Sequence, residues 1–310
     1  LTSGCAQGTV FGDLMERTIH NTLFGAQSPD GRQLRYYTPF EAQRVFFDKD
    51  TYCCPNNYRR GVADLPKYVV YRTARGILLN LYTPCTVNTV LQDGTRVTLT
   101  QATAYPSDGV VNTRISLDGE KAFDLGFRIP RWCGNASVKV NGAATEAVCD
   151  RGSICTIART WKSGDEVELT FPMALRLVKG RRSQAGRVAV MYGPLVFGLS
   201  KERNEGMEAI PPRLLTMDVD SLEGPFPDDS VHPGGLSCAV GVWDPGQWYP
   251  GPVSRRPGVT MAFRRRSGRP ILSFVRPDRG RFPRSSCCMA AAVWGGGTGC
   301  GPSGSASGAI

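Results

Sequence analysis

Between Gly76 and Leu199 the chain changes polarity with a period of two, in short stretches rich in β-branched residues. That rhythm commits most of it to β-structure. The stretches fall at residues 77–82, 96–100, 111–117, 123–129, 137–140, 154–157, 166–171, 175–178, 187–192 and 195–199. Asp93-Gly94, Asp108-Gly109, Asp118-Gly119 and Asn141-Gly142 interrupt them, and such pairs readily supply the positive φ of tight hairpin turns. Closely spaced strands joined by hairpin turns describe an antiparallel β-sandwich.

The segment before this region has a different period. Phe11, Leu14, Met15, Thr18, Ile19, Thr22 and Leu23 recur at three and four residues, which predicts an amphipathic helix over 11–25 ending at Gly25. A turn at Ser28-Pro29-Asp30-Gly31 leads to an extended piece over 34–40. A second helix is expected over 57–71, with Val62, Leu65 and Val69 on one side and Pro66 as a kink or boundary. The organisation read from these shifts is a helical segment at 1–72, a β-sandwich at 73–175, a second β-rich segment at 176–251, and a tail at 252–310.

The net charge of +10 sits almost wholly in that tail: residues 252–310 hold ten Arg and one Asp, leaving 27 basic and 26 acidic residues in the rest. The first 251 residues therefore carry no basic face of the kind that binds nucleic acid. The tail has no aromatics regularly interleaved with its arginines and ends in a Gly/Ser/Ala run, so it reads as disordered, or as GC-rich DNA translated out of frame. No stretch approaches the roughly 18 apolar residues of a membrane span. The 11 cysteines are scattered without a disulfide framework, so a reducing, cytoplasmic location is the expectation. The chain starts at Leu1, which leaves room for an upstream segment.

Candidate chemistry concentrates in Tyr52-Cys53-Cys54-Pro55-Asn56. Adjacent cysteines make a strained disulfide, so metal binding or thiolate chemistry is the functional alternative to two small hydrophobes at a helix entry. Asp165 and Glu166 follow Gly164 and read as solvated turn charges. His20 falls on the first helix and His232 in a Pro-rich loop. GxxxxGK[ST] and the GxSxG nucleophile elbow are absent and no GxGxxG follows a strand, so nucleotide-dependent and serine-hydrolase readings lose most of their support.

Several motifs share an order and a spacing. Asp13-Leu14-Met15-Glu16-Arg17-Thr18-Ile19-His20-Asn21, Pro29-Asp30-Gly31, Tyr36-Tyr37-Thr38-Pro39 and Cys53-Cys54-Pro55-Asn56 resemble the end of the catalytic domain of glycoside hydrolase family 127, the β-L-arabinofuranosidases. Phe127-Arg128-Ile129-Pro130-Arg131-Trp132, Val138-Lys139-Val140-Asn141-Gly142, Trp161-Lys162-Ser163-Gly164-Asp165, Phe171-Pro172-Met173 and Tyr192-Gly193-Pro194 are similar to the β-domains that follow it. The resemblance implies a mainly β chain: the C-terminal end of an (α/α)6 barrel followed by antiparallel β-sandwich domains. It implies a zinc ion held by one Glu and three Cys, with Cys53 as nucleophile and zinc ligand, Cys54 as neighbouring ligand, and Glu16 and Tyr36 as substrate-binding residues. The implied reaction is retaining: a thiolate attacks the anomeric carbon of a glycoside or oligosaccharide, and water releases the glycosyl-thioether. The family's acid/base Glu and its Glu-x-Cys ligands precede the helix around Glu16, where this chain has only Leu1 to Gly12. Cys5 has Ser3 two residues before it and takes no ligand role. The chain alone is therefore expected to be incomplete and inactive.

The alternative reading is a non-catalytic carbohydrate-binding or structural β-sandwich, with Trp132, Trp161 and Tyr192 as sugar platforms. Neither reading calls for a nucleic-acid or membrane partner.

Overall fold

A computed structural model describes residues 5–28, 30–37, 45–47, 53–199, 204, 215–230, 234–243, 272–275 and 289–290. The chain is mainly β, and among the described residues the α-helices lie in its first quarter. Helix α1 spans Cys5–Arg17, beginning six residues before the amphipathic pattern becomes visible. It opens into a wider π-helical turn at Thr18–Leu23 and closes with the short α2, Phe24–Ala26. The widening has a local cause. Asn21 Nδ2 donates to the Arg17 carbonyl at 2.7 Å and to the Pro194 carbonyl at 2.8 Å, while its Oδ1 accepts from the Val196 N–H at 2.7 Å. One side chain thus loosens the helix and ties it to the β region.

A two-stranded ribbon of β1 (Leu34–Arg35) and β2 (Phe46–Phe47) follows. The extended piece expected over 34–40 is a strand only at its first two residues, and residues 38–44 lie outside those described. Helix α3, Cys53–Asp64, starts four residues earlier than expected and stops before Leu65. Leu65–Tyr68 is a 3-10 turn with Pro66 in its first positions, because proline blocks continuation of an α-helix; residues expected to extend the helix to 71 instead enter β3, Val70–Arg72.

The β region continues as β4 (Gly76–Leu79), β5 (Cys85–Val90), β6 (Arg96–Thr103), β7 (Val110–Leu117), β8 (Glu120–Arg128), β9 (Ser137–Val140), β10 (Ala143–Ala144), β11 (Ile154–Lys162) and β12 (Glu166–Thr170). One sheet runs β10-β9-β12-β7-β6-β5, and a second runs β11-β8-β4-β3. The two share one buried core. Val97, Leu99, Val111, Ile115, Val167 and Leu169 of the first sheet pack with Ile77, Leu79, Leu125, Phe127, Cys155 and Trp161 of the second. Among strands β3 to β12 the pairing is antiparallel except between β4 and β8, which run parallel because the chain leaves β4, builds three strands of the other sheet, and returns beside it. Gly76 is obligatory at this junction: a Cβ there would lie 2.0 Å from the Asp124 carbonyl oxygen.

The turn signals divide. Gly94, Gly119 and the pair Asn141-Gly142 have positive φ, and the last closes a two-residue hairpin between β9 and β10. Gly109 does not. Its role is close approach, since a Cβ would stand 1.9 Å from the Phe171 carbonyl oxygen.

Beyond residue 174 come β13 (Leu175–Lys179), β14 (Val188–Tyr192) and β15 (Leu195–Val196) in one small sheet. Strands β16 (Gly198–Leu199), β17 (Thr216–Pro227), β18 (Leu236–Trp243) and β19 (Leu272–Val275) form another. Strand β20, Met289–Ala290, pairs in parallel with β5. Apart from β19 and β20, the Arg-rich tail lies outside the described residues, as does His232. The helical segment packs on the β region through Ile19, Phe24, Leu65, Val69, Leu81 and Val87, with Met15 and Leu23 at the margin. Among the described residues no helix is long and apolar enough to cross a membrane.

Candidate active site

Cys53 and Cys54 are the first two residues of α3, and their Sγ atoms stand 3.8 Å apart. Cys53 is exposed and Cys54 half-buried. The Tyr36 hydroxyl donates a hydrogen bond to Cys54, and this bond, with the neighbouring sulfurs and Tyr37, raises the Tyr36 pKa above the ordinary tyrosine value. The Tyr36 ring meets Tyr37 edge-on, with centroids 4.7 Å apart. Two segments separated in sequence thus converge on one thiol pair beneath an aromatic wall.

The thiol pair fits half of a zinc site. With Zn–S bonds of about 2.3 Å and a tetrahedral angle, two sulfurs on one ion stand about 3.8 Å apart. The observed spacing matches. Among the described residues no group of three or more His, Cys, Asp or Glu is placed to complete a metal site, so the two sulfurs alone do not close a tetrahedron.

Glu16 goes elsewhere. Its side chain is 1% exposed and is held by the β region: Oε1 accepts from the Tyr105 hydroxyl at 2.7 Å and from Arg128 Nη2 at 2.8 Å. Arg128, itself buried, also donates from Nη1 to Asp13 at 2.6 Å and from Nε to the Asn80 carbonyl at 2.7 Å. Burial pushes the Asp13 carboxyl above its ordinary value, against the pull of Arg128. Burial likewise drives the hydroxyls of Tyr82 and Tyr105 well up. The arrangement is a buried ion cluster between α1 and β8. Sequence reasoning missed Arg128 because strand alternation places every second residue outward, whereas β8 is buried continuously from Leu125 to Arg128. The available signal was Asp13 and Glu16 three residues apart on one helical face.

Two other expectations change. Asp165 is not a solvated turn charge. It is 2% exposed; burial opposes its charge, yet Asn141 Nδ2 at 2.8 Å and the Lys162 N–H at 3.0 Å hold its carboxyl below the ordinary value. Trp161 is not a sugar platform, being wholly buried with its indole N–H donating to the Phe123 carbonyl at 3.0 Å. Trp132 and Tyr192 remain half-buried at the edge of the β region. His20 lies against the rings of Tyr105 and Phe24, with centroids 6.2 and 6.5 Å away.

Residues 76–173, the two sheets that share the large core, match the family model for the middle domain of GH127 β-L-arabinofuranosidases. The chain is similar to the family 127 glycoside hydrolases. It is 28% identical over 219 residues to a non-reducing end β-L-arabinofuranosidase of Bifidobacterium longum subsp. longum, covering 63% of this chain and 32% of that protein. Its fold is similar to a solved GH127 β-L-arabinofuranosidase from Geobacillus stearothermophilus T6, with a TM-score of 0.72 and 27% identity over 86% of this chain and 44% of the other. A solved glycoside hydrolase at 23% identity and TM-score 0.69, covering 86% of this chain and 46% of its own, shares the fold. The chain thus spans less than half the length of each of these proteins.

Proposed function

We propose that this chain is part of a retaining glycoside hydrolase that cleaves β-L-arabinofuranosides, with Cys53 as its nucleophile. The observation that carries the reading is the exposed Cys53 thiol 3.8 Å from Cys54 at a helix start faced by Tyr36, in a chain whose middle domain matches family 127. In this reading the helical segment is the end of an (α/α)6 barrel and the two core-sharing sheets are a β-sandwich. Cys53 and Cys54 would hold, together with ligands outside the described residues, a zinc ion that would supply the charge that keeps both sulfurs as thiolates at neutral pH.

Cys53, the more accessible sulfur, attacks the anomeric carbon. The glycosidic C–O bond breaks, its electron pair leaves on the aglycone oxygen, and a carboxyl acid protonates that oxygen. Water then displaces the sulfur from the same carbon, so two inversions restore the starting configuration. Tyr36, anchored through its hydroxyl to Cys54, holds the second sulfur in place and lends a ring edge to the sugar. Glu16 acts one layer away, by fixing α1 on the β region that supports the site.

Two measurements test the proposal. Zinc content after dialysis of a protein containing this chain together with its upstream catalytic sequence should fall to background in the double variant Cys53→Ser with Cys54→Ser; equal zinc in wild type and variant contradicts the ligand assignment. In a protein containing this chain together with its upstream catalytic sequence, Cys53→Ala should lower hydrolysis of p-nitrophenyl β-L-arabinofuranoside by about 10³-fold or more. Undiminished hydrolysis removes Cys53 as nucleophile.

A further inference from the structure

Three cysteines distant in sequence from Cys53 and Cys54 converge on the large β core. Cys133 and Cys155 are wholly buried in it, and Cys149 packs half-buried against it. Residues 145–150 alternate half-buried with exposed, which aims Cys149 inward, and Cys155 is an inward residue of β11. The backbone between them folds back: the Ser153 N–H donates to the Asp150 carbonyl at 3.1 Å, and Gly152 takes a φ of 72°. Ile129 pins this turn with two bonds, its N–H donating to the Ser153 carbonyl at 2.9 Å and its carbonyl accepting from the Gly152 N–H at 3.0 Å. The turn brings the two inward side chains together, and the thiols of Cys149 and Cys155 hydrogen-bond to each other.

The pair is asymmetric. The shared hydrogen bond, with burial, pushes the Cys155 thiol well above its ordinary value. The same bond holds the Cys149 thiol below its ordinary value, against burial and the charge of Asp150. The half-buried sulfur is thus both the readier thiolate and the one that a dissolved oxidant reaches. The wholly buried sulfur stands in contact with it. An accessible attacking thiol beside a resolving thiol is the arrangement of a redox-responsive dithiol. Cys149 also lies outside the strands, so its segment can close the remaining gap between the sulfurs without breaking a sheet ladder.

We propose that Cys149 and Cys155 form a reversible disulfide in response to a hydroperoxide. The Cys149 thiolate attacks a peroxide oxygen, the O–O bond breaks, and the departing oxygen takes up the proton that Cys149 had lost, leaving as water or, from an organic peroxide, as an alcohol. Cys149 then carries a hydroxyl as its sulfenic acid. The Cys155 sulfur displaces that hydroxyl, which departs as water with the Cys155 proton. Two thiols lose two electrons, and one peroxide bond is reduced. A dithiol reductant restores the pair by exchange. The modification reaches the helical segment, because the Thr9 hydroxyl of α1 donates to the Gly152 carbonyl at 2.7 Å. The turn closed by the disulfide is therefore a seat of the helix that carries Asp13 and Glu16. The site is independent of the role assigned to Cys53.

The test is non-reducing tryptic mass spectrometry of the native 310-residue chain after stoichiometric hydrogen peroxide. Cleavage after Arg131, Lys139, Arg151 and Arg159 puts Cys133, Cys149 and Cys155 on separate peptides, 132–139, 140–151 and 152–159. Peptides 140–151 and 152–159 should appear joined, lighter by two hydrogens than their sum, and should separate after dithiothreitol. Cys155→Ala should leave a sulfenic acid on Cys149 that dimedone captures, whereas Cys149→Ala should leave Cys155 unlabelled. If either variant fails to fold, the wild-type peptide map still decides. Peptides 140–151 and 152–159 that stay unlinked overturn the proposal, as does a link from 140–151 to 132–139 or to the peptide bearing Cys53 and Cys54. A link that forms no faster in the folded chain than in urea overturns it too, since it would owe nothing to the fold. Dimedone on Cys155 in Cys149→Ala removes Cys149 as the attacking thiol.

Discussion

Arg128 serves two carboxylates and a carbonyl from a position 2% exposed, and its removal would leave Asp13 and Glu16 buried without their cation. Arg128→Ala is expected to destabilise the chain by about 3–5 kcal/mol, measured as a lower urea midpoint, because breaking a buried pair from one side strands a charge. Glu16→Gln should cost less, since an amide oxygen still accepts from Tyr105 and Arg128. At Asp165 the sign with pH is set by its lowered pKa: the folded form binds a proton less readily than the unfolded form. Its contribution is full above about pH 4 and fades as the pH falls through the folded value. The stability gap between wild type and Asp165→Ala should therefore be widest at pH 7 and shrink at pH 3, in paired urea titrations. A gap that grows toward low pH would reverse the assignment. The sequence named the thiols because adjacent cysteines are unusual, and Tyr36 only through the resemblance to family 127. Arg128 was illegible because nothing in a strand marks a buried arginine until its carboxylate partners arrive from a helix more than a hundred positions away.

At the scale of elements, the two uses of glycine can be separated experimentally. Gly109→Ala should be expensive, on the order of 1–3 kcal/mol or more, because the new Cβ meets the Phe171 carbonyl of a paired backbone that cannot move aside. Gly94→Ala meets open space, and its cost should be limited to about 1 kcal/mol for the positive φ. Thermal unfolding of both variants orders them; equal midpoints would deny the close-approach role of Gly109. Strand β9 emerged from periodicity with its observed ends, as did the start of β6, because alternation against one buried face leaves a direct polarity record. Strand β5 escaped it, since Cys85, Thr86, Asn88 and Thr89 dilute the apolar signal although Val87 and Thr89 are buried. Helix α3 began earlier than its apolar pattern because its first residues are the thiol pair and a proline. A proline is well suited to a first helical turn.

For the whole molecule, the helical segment leaves apolar surface in solvent: Phe11 is 66% and Tyr37 75% exposed, with Leu14 and Val45 also outward. Such a face favours self-association. Light scattering of the purified chain should show species larger than a monomer, and Phe11→Lys should shift the distribution toward monomer; a monomeric wild type would contradict this. By itself the sequence determined the mainly β class, the helical beginning, the hairpin turns and the place of the thiols in the chain, because periodicity, turn chemistry and adjacent cysteines are local properties. Only the tertiary structure decided which strands share a sheet, that β4 and β8 run parallel, and that Glu16 belongs to a buried ion cluster. Those depend on contacts between residues far apart in sequence, where burial converts a side chain's character into a specific partner and no neighbouring residue records the choice.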